Sequence, residues 1–193
     1  ACNYVIRDDA SAYHTFYFDP ETGAPLKGVT RQGYSDDSAW ARGQAWGISG
    51  IPFNYRYTKD ESAFNLFEGM TNYFLNRLPA DDVCYWDLIF GDGSGQSRDS
   101  SAAAVAVCGM HEMMKYLPET DEEKETYRRA MHGILRSLIQ GYVNPDMHPG
   151  APILLHGVYS WHSGKGVDEG NIWGDYFYME ALLRFYKDWQ LYW

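Results

Sequence analysis

Residues 102–116, AAAVAVCGMHEMMKY, follow a Ser100-Ser101 pair suited to start a helix, and their row of small side chains lets a second helix approach closely. Further helices are predicted at 37–57 and 59–78. The first has Asp36, Asp37 and Ser38 as capping candidates and Pro52 as a possible interruption; the second carries Phe64, Phe67, Tyr73 and Phe74 near helical spacing before Pro79. A helix over 120–142 opens on acids, as the helix dipole prefers, and presents Met131, Ile134, Leu135, Leu138 and Ile139 as an apolar stripe. The segment GDYFYMEALLRFYKDW from Gly174 makes another. Between them, Asp19-Pro20-Glu21-Thr22-Gly23 forms a turn between two short extended pieces. Residues 81–99 and 144–171 read as loops. Alternately short and long connections predict an all-α stack of antiparallel helical hairpins whose long connections share one end and carry function.

Acids outnumber bases by ten among the 193 residues, which disfavours a phosphate-tracking surface and a nucleic-acid partner. No apolar run approaches the roughly 20 residues that span a membrane. The start ACNYVIRDD is not a signal peptide; it lacks a Met and reads as an extended strand or loop. Cys2, Cys84 and Cys108 are too few and scattered for a disulfide framework or a zinc site, and their odd number suggests reduced thiols in the cytoplasm. Aromatic residues make up 17% of the chain; such rings serve equally a sugar-binding cleft or an aromatic core.

Chemistry concentrates in QGYSDDSAWARGQAW, residues 32–46. Arg42 and Trp46, four apart, share a helical face, and Gln32 and Tyr34 precede the helix start, where unpaired N–H groups and the dipole favour a carboxylate. The competing reading is a capped helix with core tryptophans and Arg42 paired to Asp36 or Asp37. A second cluster, SWHSGK, places Ser160, Ser163 and Lys165 within six residues around Gly164, chemistry suited to a sulfate group, with Arg31 able to complete it; its alternative is a solvated surface turn. GDGSGQSRD lacks the terminal Glu of an EF-hand and reads as a turn. His111 lacks the second His of a zinc helix, and His148, His156 and His162 are irregularly spaced, so no metal site is expected.

The string QGYSDDSAWARGQAWGISG resembles the signature of the unsaturated glucuronyl hydrolases, glycoside hydrolase family 88. SAYHTFYFDPETG, CYWDLIF followed by SRDSSAAAVA, and WGDYFYMEALLRF resemble the same family in the same order, and YSWHSGKG resembles its streptococcal, glycosaminoglycan-degrading subgroup. The resemblance implies a barrel of six helical hairpins, an (α/α)6 toroid, in proteins nearly twice this length, with residues 1–193 as the carboxyl-terminal half of one catalytic domain. It implies hydrolysis of disaccharides ending in a 4,5-unsaturated uronic acid, with no metal or organic cofactor. The family's catalytic aspartates match nothing in this chain, so neither Asp36 nor Asp37 is given that role.

Carried over residue by residue, the family's substrate pocket falls on His14, Gln32, Trp40, Arg42 and Trp46, with His14 in support of catalysis. Arg31, Ser160, Ser163 and Lys165 become the sulfate site. The implied partners are the unsaturated disaccharide and the amino-terminal half of the same barrel. Two alternatives stay open: an unsaturated rhamnogalacturonyl hydrolase of the same fold, and a non-catalytic sugar-binding helical module. A half toroid should also leave apolar helix faces exposed.

Overall fold

The structure, a computed structural model, describes residues 2–191 and is predominantly helical. Its elements run α1 (Cys2–Val5), β1 (Thr15–Phe18), β2 (Pro25–Val29), α2 (Ala41–Thr58), α3 (Ser62–Leu75), α4 (Ser100–Met113), α5 (Glu123–Gly141), β3 (Gly157–Ser160), β4 (Lys165–Glu169) and α6 (Ile172–Tyr186). β1 and β2 form the antiparallel pair expected around Gly23. The expected extended start is instead the helical turn α1.

α4 is the centre of the packing. Every residue in it except His111 is buried, and from Ala102 to Met110 the buried side chains are apolar and mostly small. α2, α5 and α6 each pack on it, α3 packs on α2, and Phe67 of α3 meets Tyr127 of α5 edge-on at 5.5 Å. Both ends of α4 carry buried ion pairs: Asp99 with Arg42 of α2 at 2.6 Å, and Glu112 with Arg184 of α6 at 2.7 Å. Burial pushes the Glu112 carboxyl upward, but hydrogen bonds from Lys115 and Arg184 outweigh it and hold its pKa below the ordinary value.

The helix expected from Asp37 begins only at Ala41. The Ala41 N–H donates to the Trp86 carbonyl (3.1 Å) and the Leu88 N–H to the Ala39 carbonyl (2.9 Å), so residues 39–41 pair with the 86–88 segment before the helix can start. None of the three capping candidates caps it: Trp40 holds the N-cap position without a side-chain bond, Asp36 accepts from the Thr30 N–H, and Ser38 donates to Asp87. Pro52 does not interrupt α2. It removes the N–H that would have bonded the Ile48 carbonyl, and that carbonyl is where Gly109 of α4 makes its close approach.

Residues 144–171, expected as loop, contain the hairpin β3–β4. Only Gly157 and Val158 of its two strands are buried, so the alternation that announces a strand is missing, and the turn depends on Gly164 at φ +64°. Ile139, expected in the apolar stripe, is exposed. Ile172, Tyr176, Met179 and Tyr186 are exposed large side chains at helical spacing along α6.

Gly109→Ala should reverse the usual sign of a glycine substitution. Alanine ordinarily favours a helix over glycine by about 1 kcal/mol. Here the new Cβ would lie 2.6 Å from the Ile48 carbonyl oxygen, so we expect a net loss of about 1–3 kcal/mol, read from the urea midpoint. An unchanged or higher midpoint would mean that α2 and α4 do not need this approach.

Candidate functional site

The long connections, residues 6–40, 76–99 and 142–171, lead into α2, α4 and α6 and meet at the amino ends of these helices. The Ser100 N–H and Oγ donate to the carbonyls of His156 and Leu155 (3.1 and 2.6 Å), joining the third connection to the start of α4. Trp161 stacks on the fully buried Trp86 at 4.9 Å, and His162 Nε2 lies 2.6 Å from the Gly33 carbonyl, joining it to the first two. Residues 33–38 are organised by one carboxylate. Asp87, wholly buried, accepts from the Tyr34 N–H (2.8 Å) and the Ser38 hydroxyl (2.7 Å) on Oδ2 and from the Ile89 N–H (3.1 Å) on Oδ1.

Four of the five residues expected in the pocket form one contact network. The Arg42 guanidinium is 3% exposed; its Nη1 donates to Asp99 Oδ2 (2.6 Å), the Val158 carbonyl (2.6 Å) and Ser101 Oγ (3.3 Å), and its Nη2 to the Tyr159 carbonyl (3.1 Å). Its partner is therefore Asp99, neither of the two acids beside it in sequence. Gln32 Nε2 donates to the same Tyr159 carbonyl at 2.7 Å. Trp40 has Arg42 over its ring at 4.7 Å and meets the His14 ring edge-on, also at 4.7 Å. His14 Nδ1 accepts from the backbone N–H of Arg31 (2.8 Å) and Gln32 (3.3 Å), so the proton of the neutral ring sits on Nε2. Burial, and then the charges of Arg31 and Arg42, lower the pKa of His14.

Trp46 lies one turn along α2 from Arg42 and packs against Phe177 of α6 at 5.1 Å. It is 39% exposed whereas Trp40 is 8% exposed, so Trp46 offers the more open ring face. Trp173 of α6 lies 5.2 Å from the Arg42 guanidinium and 5.6 Å from the Tyr159 ring, so α2 and α6 face each other with aromatic walls over the small residues of α4. Of the second cluster, Ser163 Oγ donates to the Ser160 carbonyl (3.2 Å), and Lys165 pairs in strand register with Ser160. Arg31 donates to the Tyr17 hydroxyl at 2.6 Å. The contacts of Gln32 and His162 set the Arg31 loop beside the SWHSGK turn, which is docked on the protein at Trp161 and His162.

Sequence reasoning missed Asp87, Asp99, Tyr159 and Trp173. Asp87 and Asp99 sit within CYWDLIF and SRDSS, but a buried carboxylate has no signature separate from an exposed one. In GDGSGQSRD, Asp92 accepts from the Ala80 N–H (3.0 Å) and pairs with Arg98 (3.6 Å). Among the described residues no three His, Cys, Asp or Glu are placed to hold a metal ion.

No protein-family model matches the sequence. The chain is 75% identical over 193 residues to the unsaturated chondroitin disaccharide hydrolase of Streptococcus pyogenes serotype M1, covering all of this chain and 48% of that one. The crystal structure of unsaturated glucuronyl hydrolase from Streptococcus agalactiae superposes with a TM-score of 0.96 at 74% identity, over 99% of this chain and 48% of that one. A mutant of that enzyme complexed with dGlcA-GalNAc6S superposes with a TM-score of 0.92 at 74% identity, over 100% and 51%. The chain thus spans about half the length of the relatives it matches, their carboxyl-terminal half.

The His14 geometry sets a pH response. Protonating Nδ1 would turn an acceptor of two N–H groups into a donor, so nitrogen chemical shifts should report the Nε2–H tautomer at neutral pH and a protonation midpoint below the ordinary 6.5. A midpoint at or above 6.5 would contradict this arrangement.

Proposed function

We propose that this chain, which belongs to the unsaturated glucuronyl hydrolases, forms the substrate-holding half of an (α/α)6 barrel that hydrolyses disaccharides ending in a 4,5-unsaturated uronic acid. The observation that carries the reading is the convergence of His14, Gln32 and Arg42 at the amino ends of three helices, where a carboxylate is favoured. Among the described residues, Arg42 Nε and one Nη2 hydrogen have no protein partner, which leaves donors for the uronate. Trp46 supplies an aromatic face for the sugar ring, and His14 offers Nε2–H to the carboxyl group that acts as the acid.

The reaction is hydration. A carboxylic acid protonates C4 of the double bond, water adds at C5, and the hemiketal opens and releases the second sugar. The acid comes from the other half of the barrel. In this half Asp87 is consumed by three donors and Asp99 by Arg42 and Ser101, while Asp36 holds the Thr30 N–H. In this reading residues 1–193 are part of a single catalytic domain, and the exposed side chains of α6 lie where the other half of the barrel packs. No described helix is long and apolar enough to cross a membrane. The free buried thiols Cys84 and Cys108 support the cytoplasm as the compartment.

The substrate is a chondroitin-type disaccharide carrying a sulfate on its second sugar. A relative was solved with dGlcA-GalNAc6S, and the SWHSGK turn, with its two hydroxyls and a cation, sits beside the Arg31 loop. The relatives carry chondroitin and glucuronyl names, which leaves the rhamnogalacturonyl hydrolase reading without support. A non-catalytic module is the reading to exclude by experiment.

That experiment is Lys165→Ser in the protein at the full length of its relatives, following the ultraviolet absorbance of the double bond. The wild type should consume both substrates, and the variant should lose about ten- to a hundredfold in kcat/KM on a sulfated unsaturated disaccharide and little on its unsulfated counterpart. Equal losses would assign Lys165 to the loop or the uronate. A folded wild type that consumes neither would favour the binding module.

A further inference from the structure

Asp99 stands at the N-cap of α4, where an aspartate ordinarily accepts from the helix's own free N–H groups. It does not do so. Its backbone is non-helical (φ −121°, ψ 83°), no side-chain cap bond forms, and the carboxylate accepts on Oδ2 from Arg42 of α2 and on Oδ1 from Ser101 Oγ at 2.5 Å. The carboxylate is wholly buried and the guanidinium almost so, and among the described residues each is the other's ion-pair partner. Forgoing the cap leaves the first turn of α4 to be held by backbone bonds: Asp99 donates its N–H to the Cys84 carbonyl (2.9 Å), and its own carbonyl accepts from Ala102 (3.1 Å).

Arg42 has the reverse problem. A long side chain near the substrate needs its plane and direction fixed if it is to present donors to a carboxylate. The indoles of Trp40 and Trp173 lie 4.7 and 5.2 Å from the guanidinium but set no direction for its N–H groups. The direction comes from the Asp99 contact at Nη1, which also turns the Nη1 and Nη2 edge toward the Val158 and Tyr159 carbonyls of β3. One buried carboxylate thereby fixes both the donor proposed for the uronate and the strand that leads into SWHSGK.

We infer that Asp99 is a positioning residue: it acts on the reaction through Arg42, by fixing the guanidinium, and does not touch the sugar. This rests on the function proposed above. It implies that Asp99 matters only while Arg42 is present, a dependence that a general structural role would not show.

The test is a double-mutant cycle in the protein at the full length of its relatives, assayed on an unsulfated unsaturated disaccharide. Asp99→Asn keeps the shape and a good N-cap residue while removing the charge, and Ser101→Ala removes only the hydroxyl that steadies Oδ1. In the wild-type background we expect losses in kcat/KM of about thirty- to a hundredfold for Asp99→Asn and about three- to tenfold for Ser101→Ala. With Arg42→Gln already in place, each should cost less than about threefold. Losses of the same size in both backgrounds would overturn the inference and leave Asp99 a residue of the fold. Should Asp99→Asn not fold, the Ser101→Ala pair decides by the same comparison. Failure of the underlying reading has a different signature, since the folded wild type would then have no activity on the disaccharide.

Discussion

The Arg42–Asp99 ion pair joins the three connections that enter α2, α4 and α6. Taking both charges out of water costs several kcal/mol each, and that cost is offset by two short Nη1 contacts, to Asp99 Oδ2 and the Val158 carbonyl, both at 2.6 Å. From it the order spreads outward. Arg42 holds the Val158 and Tyr159 carbonyls, Tyr159 receives Gln32, and the loop carrying Gln32 supplies the two N–H groups that fix the tautomer of His14.

That pair could not lie where it does without α4. Its alanines, Gly109 and Cys108 leave so little side chain that α2 and α6 can meet above it, Arg42 against Trp173 and Trp46 against Phe177. The far end is closed by Arg184 with Glu112 and Glu180, so α4 is tied to its neighbours by ion pairs at both ends and by apolar contact between. A rigid central helix of this kind suits a site whose donors must be in place before substrate arrives.

The helices were legible because hydrophobic periodicity and Pro and Gly punctuation are local signals, and the core helix was legible from its small residues. The family motifs placed His14, Gln32, Trp40 and Arg42, and the structure brings these four into contact. What the sequence could not display was pairing over distance. Asp36 and Asp37 look like caps for α2 until the 86–88 segment pairs with residues 39–41 and moves the helix start to Ala41. Ser100 and Ser101 look like the start of α4, but the N-cap position falls on Asp99, whose carboxylate is taken by Arg42, 57 residues away in sequence. The β3–β4 hairpin escaped notice because its strands are too exposed to alternate. The aromatic share divides: Trp86 is core, Trp46 lies open, and composition could not separate them.

The most direct test of this account is a crystal structure of the protein at the full length of its relatives, inactivated at the acid supplied by its other half and soaked with an unsaturated disaccharide. The account predicts the uronate carboxylate or ring hydroxyls within about 3 Å of donors on Arg42 and Gln32, with the Arg42–Asp99 contact unbroken and the sugar against Trp46. A disaccharide seated away from Arg42 and His14, or an Arg42 that leaves Asp99 to reach it, would contradict it.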